Sequence, residues 1–210
     1  MMRKYYLVLY GLYYFLLKED MILGSHNSWS YLRPRKWWMR LISFTAQCQE
    51  EDIFLQYSLH NTRCFDLRVR FKGDELVVAH GIIEYGIDKE TLLYYLSWLN
   101  LKGDTYVRLI HEVRREKDYT QDNIDKFRKF AKEIDDRYGN IKFWCGKNLY
   151  NWECDYIFTN CPSCEEKYAS VCNPKLIDDW YPRWFASRNN DRIKKEGTDK
   201  DILLIDFVNI

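Results

Sequence analysis

The chain has 210 residues, 47% hydrophobic and 30% charged, with 32 Lys+Arg against 31 Asp+Glu and a formal net charge of +1. That length suits one domain with a core of its own, so folding does not depend on disulfides. The composition excludes disorder, collagen and low complexity, and the balanced charge argues against a sequence-independent nucleic-acid partner.

Taken in chain order, residues 1–17 read MMRKYYLVLYGLYYFLL and are followed by Lys18-Glu19-Asp20. The run is short for a membrane-spanning helix. It has the first two regions of a secretory signal but no small-residue cleavage site before Ser25. Residues 1–20 are therefore set apart as an apolar extension, with Met21 as an alternative start, and secretion is expected only if residues 1–17 act as a signal. Residues 21–210 read as one domain without repeats or linkers.

Ile22 to Ser25 is a short apolar run, consistent with a buried strand. Cys64 to Phe71 alternates strictly, which places Asp66, Arg68 and Arg70 on one face of a strand. Gly73-Asp74 marks a turn, and Leu76 to Ala79 a second strand ending at His80-Gly81. Lys89 to Asn100 has helical spacing of leucines, and Tyr106 to Val113 is strand-like. Asp122 to Tyr138 is an amphipathic helix with Ile124, Phe127, Phe130, Ala131 and Ile134 on one side. Asn140 to Cys145, Asp155 to Thr159 and Ile202 to Val208 read as strands, the last buried. Strands alternating with helices predict an α/β fold with a parallel sheet or barrel.

Seven cysteines is an odd number, and five of them lie between 145 and 172. Cys161-Pro-Ser-Cys164 has zinc-ligand spacing, but no second such pair or nearby histidine completes it. Reduced, mostly buried thiols in a cytoplasmic protein are the plainer expectation.

The chemistry concentrates on few residues. Of the four histidines, His26 and His80 directly follow short apolar strands, where α/β barrels gather their catalytic groups. One imidazole can serve as base and the other as acid. An arginine in an alternating strand needs an ion pair or an anion, so Arg68 is a candidate for phosphate. Asp206, inside an apolar run, needs a partner, and a histidine is a natural one.

Four segments together carry a family resemblance: GSHNSW at 24–29, RCFDLRVRF at 63–71, LVVAHG at 76–81 and LLIDFV at 203–208. From about Met21 to the C-terminus the chain resembles the catalytic X domain of phosphatidylinositol-specific phospholipase C, in a short bacterial-type form. The resemblance implies an irregular TIM-type (β/α) barrel, built as a single domain. It also implies phosphodiester cleavage in which the inositol 2-hydroxyl attacks phosphorus, diacylglycerol leaves and a cyclic inositol phosphate forms. Carried over by position, His26 is the general base, Asp206 its partner, His80 the general acid, and Arg68 the stabiliser of phosphoryl charge, with Asp66 holding Arg68 or His80. Asn27, Arg70, His111 and Glu112 are implied on the substrate side, with the register of the last two open by one residue.

Asn27 stands where the metal-independent branch has Asp, as in the calcium-dependent branch, yet Arg68 stands where that branch has a carboxylate. No metal is therefore expected, and calcium through Asn27, Asp66 and Glu112 is the lesser reading. The partner implied is a lipid head group or an inositol phosphodiester. Trp37-Trp38 beside Lys36 reads either as an insertion into an anionic lipid surface or as a packed loop over the barrel mouth. The aromatic cluster from Trp180 to Phe185 reads as barrel rim or as core. Two other functions remain in view: a glycerophosphodiester phosphodiesterase-like enzyme, whose His-Arg-Gly start this chain lacks, and a catalytically silent module that binds a phosphorylated head group.

Overall fold

The computed structural model describes residues 21–163, 166–168 and 181–210. The apolar extension 1–20, Cys164, Cys172 and Trp180 lie outside the described residues. The strands are β1 (Ile22–Ser25), β2 (Cys64–Lys72), β3 (Glu75–His80), β4 (Ile83–Glu84), β5 (Thr105–His111), β6 (Ile141–Cys145), β7 (Glu166–Tyr168) and β8 (Ile202–Ile205). The helices are α1 (Ile53–His60), α2 (Lys89–Lys102), α3 (Gln121–Arg137) and α4 (Pro182–Glu196).

Local chemistry explains the helix boundaries. Asp52, Asp88 and Thr120 each cap a helix by accepting from the backbone N–H three residues on. Gly103 ends α2 in the left-handed region at φ 80°, where a Cβ would be strained. Pro182 occupies the first turn of α4, where its missing N–H costs nothing.

The eight strands form one curled sheet. Parallel ladders run in the order β7-β8-β1-β2-β5-β6. The second half of β2 pairs antiparallel with β3, and β3 with β4. Among the described residues no ladder joins β6 to β7, but Trp144 Nε1 on β6 donates to Glu166 on β7 at 3.1 Å. The irregular α/β barrel expected from the sequence is the fold.

Alternation along the strands separates two interiors. Phe65, Leu67, Val69, Val107, Leu109 and Phe143 face the helices and meet Leu92, Leu96, Phe127 and Ile134 in the main core. Ile22, Cys64, Tyr106, Trp144, Ile202 and Leu204 face inward and fill the barrel floor. Gly24 is required there: a Cβ would lie 2.5 Å from Leu204 Cδ2 and 2.9 Å from Cys64 Cβ. Above this apolar floor the same inward face turns polar, with Asp66, Arg68 and Arg108.

Several boundaries differ from expectation. The segment Asp155 to Thr159 is not a strand. Its Thr159 N–H and the Tyr156 hydroxyl bond to Asp135 on α3, so a side chain satisfies the backbone that a ladder would have used. The last strand stops at Ile205, so Asp206 lies just beyond it rather than mid-strand. Phe207 then enters the left-handed region at φ 50° and turns the chain. The segment after residue 36 forms short 3-10 turns, Trp37–Leu41 and Ser43–Thr45. Trp37 is 74% and Trp38 44% exposed, so these rings do not form a packed loop. Tyr181 and Trp184 are exposed as well, whereas Phe185 packs beside Leu203 and Ile205. Cys48, Cys145 and Cys154 are free and buried, Cys64 is buried, and Cys161 is free and exposed.

Candidate active site

The parallel ladders bring the ends of β1, β2, β5 and β8 together, and with them the residues singled out from the sequence. His26 follows β1 and Asp206 follows β8. The two strands are paired residue for residue up to Ser25 and Ile205. His26 Nδ1 lies 2.7 Å from Asp206 Oδ1. A carboxylate only accepts, so Nδ1 carries the hydrogen and the lone pair is on Nε2. The Arg68 guanidinium donates to that Nε2. Gln49 fixes the pair from behind: its Nε2 donates to the carbonyls of His26 and Ile205, and its Oε1 accepts from Val208 N–H. Asn190 on α4 donates to the Asp206 carbonyl at 2.7 Å.

Asp66 is fully buried and anchors two arginines. Its Oδ2 accepts from Arg68 Nε at 2.9 Å and from Asn27 N–H at 3.0 Å, and its Oδ1 faces Arg108 at 3.2 Å. Burial works to raise its pKa, but Arg68 and then Arg108 outweigh burial and hold the carboxyl well below the usual carboxylate range. Asp66 therefore holds Arg68, while the hydrogen bond of His80 goes to Ala46. Asn27 serves through its backbone N–H, presented by a left-handed φ of 45° that Asn tolerates.

His80 reaches the same mouth from the antiparallel hairpin. Its ring centroid is 5.7 Å from that of His26, with the planes at 86°. Its Nδ1 donates to the Ala46 carbonyl at 2.9 Å, because a carbonyl can only accept. That carbonyl also accepts from the Tyr85 hydroxyl at 3.2 Å. Burial and then Arg68 penalise the imidazolium and push the His80 pKa down to about 4. Glu112, just past β5, completes the rim. Its Oε1 accepts from Gly81 N–H at 2.7 Å and its Oε2 lies 3.6 Å from Arg68.

Strand alternation sends His111 and Glu112 to opposite sides. Glu112 faces the mouth, while the His111 ring stacks on Phe127 of α3 at 4.8 Å. Arg70 does not join Asp66; it donates to the Gly81 carbonyl.

The calcium ligand set fits poorly. Asp66 is committed to two guanidinium groups and an amide, and Glu112 to an amide and Arg68. Among the described residues one His/Cys/Asp group converges, with donor atoms of His26, Cys48 and Asp206 all within 4.8 Å. Its thiol is pushed up by burial and by Asp206, away from the thiolate a metal requires.

Four further residues, not singled out from the sequence, line or hold the mouth. Arg108 sits in the alternation Tyr106-Val107-Arg108-Leu109, the same signal that singled out Arg68. Ala46, Cys48 and Gln49 lie in a loop without periodicity and act largely through backbone groups or a neutral amide, so nothing in the residue pattern marks them.

No family model and no curated protein matches the sequence. Solved structures do. A phosphatidylinositol-specific phospholipase C from Listeria monocytogenes is similar at a TM-score of 0.56 and 17% identity, over 90% of this chain and 88% of that one. A double mutant of the S. aureus phosphatidylinositol-specific phospholipase C is similar at 0.57 and 13%, over 90% and 86%. The S. aureus enzyme solved in work on modulation of its membrane binding gives 0.55 and 13% over the same shares. At these identities the likeness is one of fold, and the fold of this chain is that of the bacterial phosphatidylinositol-specific phospholipases C.

Proposed function

We propose that the chain is a phosphodiesterase that cleaves phosphatidylinositol or a related phosphodiester lipid through a cyclic phosphate. The observation that carries this reading is the His26–Asp206 pair with a second histidine, His80, one ring-length away and a buried arginine bonded to the first. His26 Nε2 takes the proton of the attacking head-group hydroxyl. Asp206 keeps the tautomer and stabilises the imidazolium that results. Arg68 leaves Nε2 for the phosphoryl oxygens as substrate enters, which uncovers the base and places positive charge where it is needed. Asp66 is a positioning residue, since it fixes the Arg68 side chain.

His80 carries its fixed hydrogen on Nδ1, so its catalytic proton is the one on Nε2, delivered to the leaving glycerol oxygen. Its low pKa in the free protein follows from burial and from Arg68. A bound phosphate anion offsets the second cause and raises the pKa toward a useful range.

The reaction needs no metal in this reading, because Arg68 occupies the charge position beside Asp66 and Glu112 that a calcium ion would need. Trp37, Trp38, Leu41 and Phe44 form an exposed apolar surface. It leads along the chain into Ala46, which holds His80, so it is the face we assign to a lipid surface. Release of cyclic inositol phosphate from phosphatidylinositol vesicles by the wild type, lost in His26→Ala and His80→Ala, is the expected result. Undiminished turnover in either variant contradicts the two-histidine mechanism.

A further inference from the structure

Arg70 is only 7% exposed, and its Nε has no hydrogen-bond partner among the described residues. A buried guanidinium normally has all its donors engaged, because each idle one is costly. Arg70 lines a cavity of about 300 Å³ in which Lys36, Arg70, Lys72 and Arg114 are set against Glu84 and Asp118. Lys72 is matched by Glu84 at 2.8 Å, which leaves the remaining lining positive. His111, 1% exposed, lines the same cavity, and neither of its ring nitrogens has a partner among the described residues. Unsatisfied buried donors around a positively charged hollow are what an anion completes.

The cavity adjoins the site already described. Arg70 donates to the Gly81 carbonyl, Gly81 N–H donates to Glu112, and Glu112 faces Arg68. Arg68 and Arg70 lie two residues apart on one strand face, about 7 Å along the strand. A ligand with two anionic groups at that spacing can engage both.

We propose that this cavity is a second anion subsite, which takes a phosphate on Arg70 with the His111 ring as a further donor. The phosphate is either carried on the head group whose diester meets Arg68 or bound free from solution. The first source rests on the phosphodiesterase reading and the second does not.

Calorimetric titration of the full chain with inositol 1-phosphate, inositol 1,4-bisphosphate and inorganic phosphate reads the subsite without turnover. For a head-group phosphate, the bisphosphate binds about tenfold or more tightly than the monophosphate, the scale of one desolvated charge-assisted contact. Arg70→Met brings that ratio close to one. Arg114→Ala, at an exposed lining position where folding is not at risk, lowers it about twofold to threefold. For a free phosphate, the two inositol phosphates bind alike and inorganic phosphate binding falls in Arg70→Met and Arg114→Ala. Equal binding of the two inositol phosphates, together with inorganic phosphate binding indifferent to both substitutions, overturns the proposal. Retention of the Arg70-dependent ratio in a protein that cleaves no phosphatidylinositol keeps the subsite and removes only the phosphodiesterase reading.

Discussion

The two histidines of the mouth are held in opposite ways. His26 is gripped on both nitrogens, by Asp206 on Nδ1 and by Arg68 on Nε2, and comes from the centre of the parallel sheet. His80 comes from an antiparallel hairpin at the side, and its anchor is the backbone carbonyl of Ala46. The first arrangement sets a carboxylate and a guanidinium on opposite nitrogens of one ring. The second sets the ring against a neutral dipole, where burial and then Arg68 oppose positive charge and Glu112 offsets them only in part. In the reaction proposed above, one of these two chemically identical side chains gains a proton and the other gives one up.

Substitutions probe that contrast most strongly at the histidines themselves. His26→Ala and His80→Ala are each expected to lower kcat by about a thousandfold or more on phosphatidylinositol vesicles, as for a lost general base or acid. A comparable fall with Arg68→Gln, roughly a hundredfold to a thousandfold, marks the loss of phosphoryl charge stabilisation. Excess chelator is expected to leave wild-type turnover unchanged, and a collapse would restore calcium through Asn27, Asp66 and Glu112.

The pH dependence sharpens the comparison further. With the His80 pKa about 4 in the free protein, the alkaline limb of kcat, which reports the bound state, is expected to lie at higher pH than that of kcat/KM. Coincident limbs would mean that bound phosphate does not act on His80.

Stability carries the same signature. His80 and His111 both titrate near 4 when folded, below the ordinary histidine value, through burial first. Between these values the unfolded chain binds protons that the folded one refuses, so stability falls as pH drops from about 6.5 to 4. His80→Asn is expected to remove about one proton's worth of that slope, about 1.4 kcal/mol per pH unit. Chemical denaturation of both proteins at pH 7, 5.5 and 4.5 measures it; an unaltered slope would show that His80 titrates normally.

The smallest effect lies on the barrel floor, away from both histidines. Gly24→Ala forces a methyl group against Leu204 and Cys64 and is expected to cost about 1–3 kcal/mol in denaturant unfolding. A neutral result would mean that β1 can shift, and with it His26.

Much of this was legible in the sequence, for definite reasons. Strict alternation in Cys64 to Phe71 placed Asp66, Arg68 and Arg70 on one face, and the pleat keeps them there. Apolar runs ended by polar residues located His26 and His80. Yet alternation could not separate Arg70 from Arg68 in role, because their different partners come from Gly81 and Asp66, one on the hairpin and one on the strand itself. The Asp155–Thr159 strand failed because a side chain, Asp135, took over the backbone bonds. The Ala46–Gln49 loop stayed hidden because its work is done by a carbonyl and an amide, which leave no charge or period to read.

The most direct test of the central claim follows the phosphorus. Phosphatidylinositol vesicles are incubated with the wild type, His26→Ala and His80→Ala, and the water-soluble products are resolved by phosphorus NMR. The account predicts a cyclic inositol phosphate from the wild type and almost none from either variant. No cyclic product from the wild type, or equal product from all three, would contradict it.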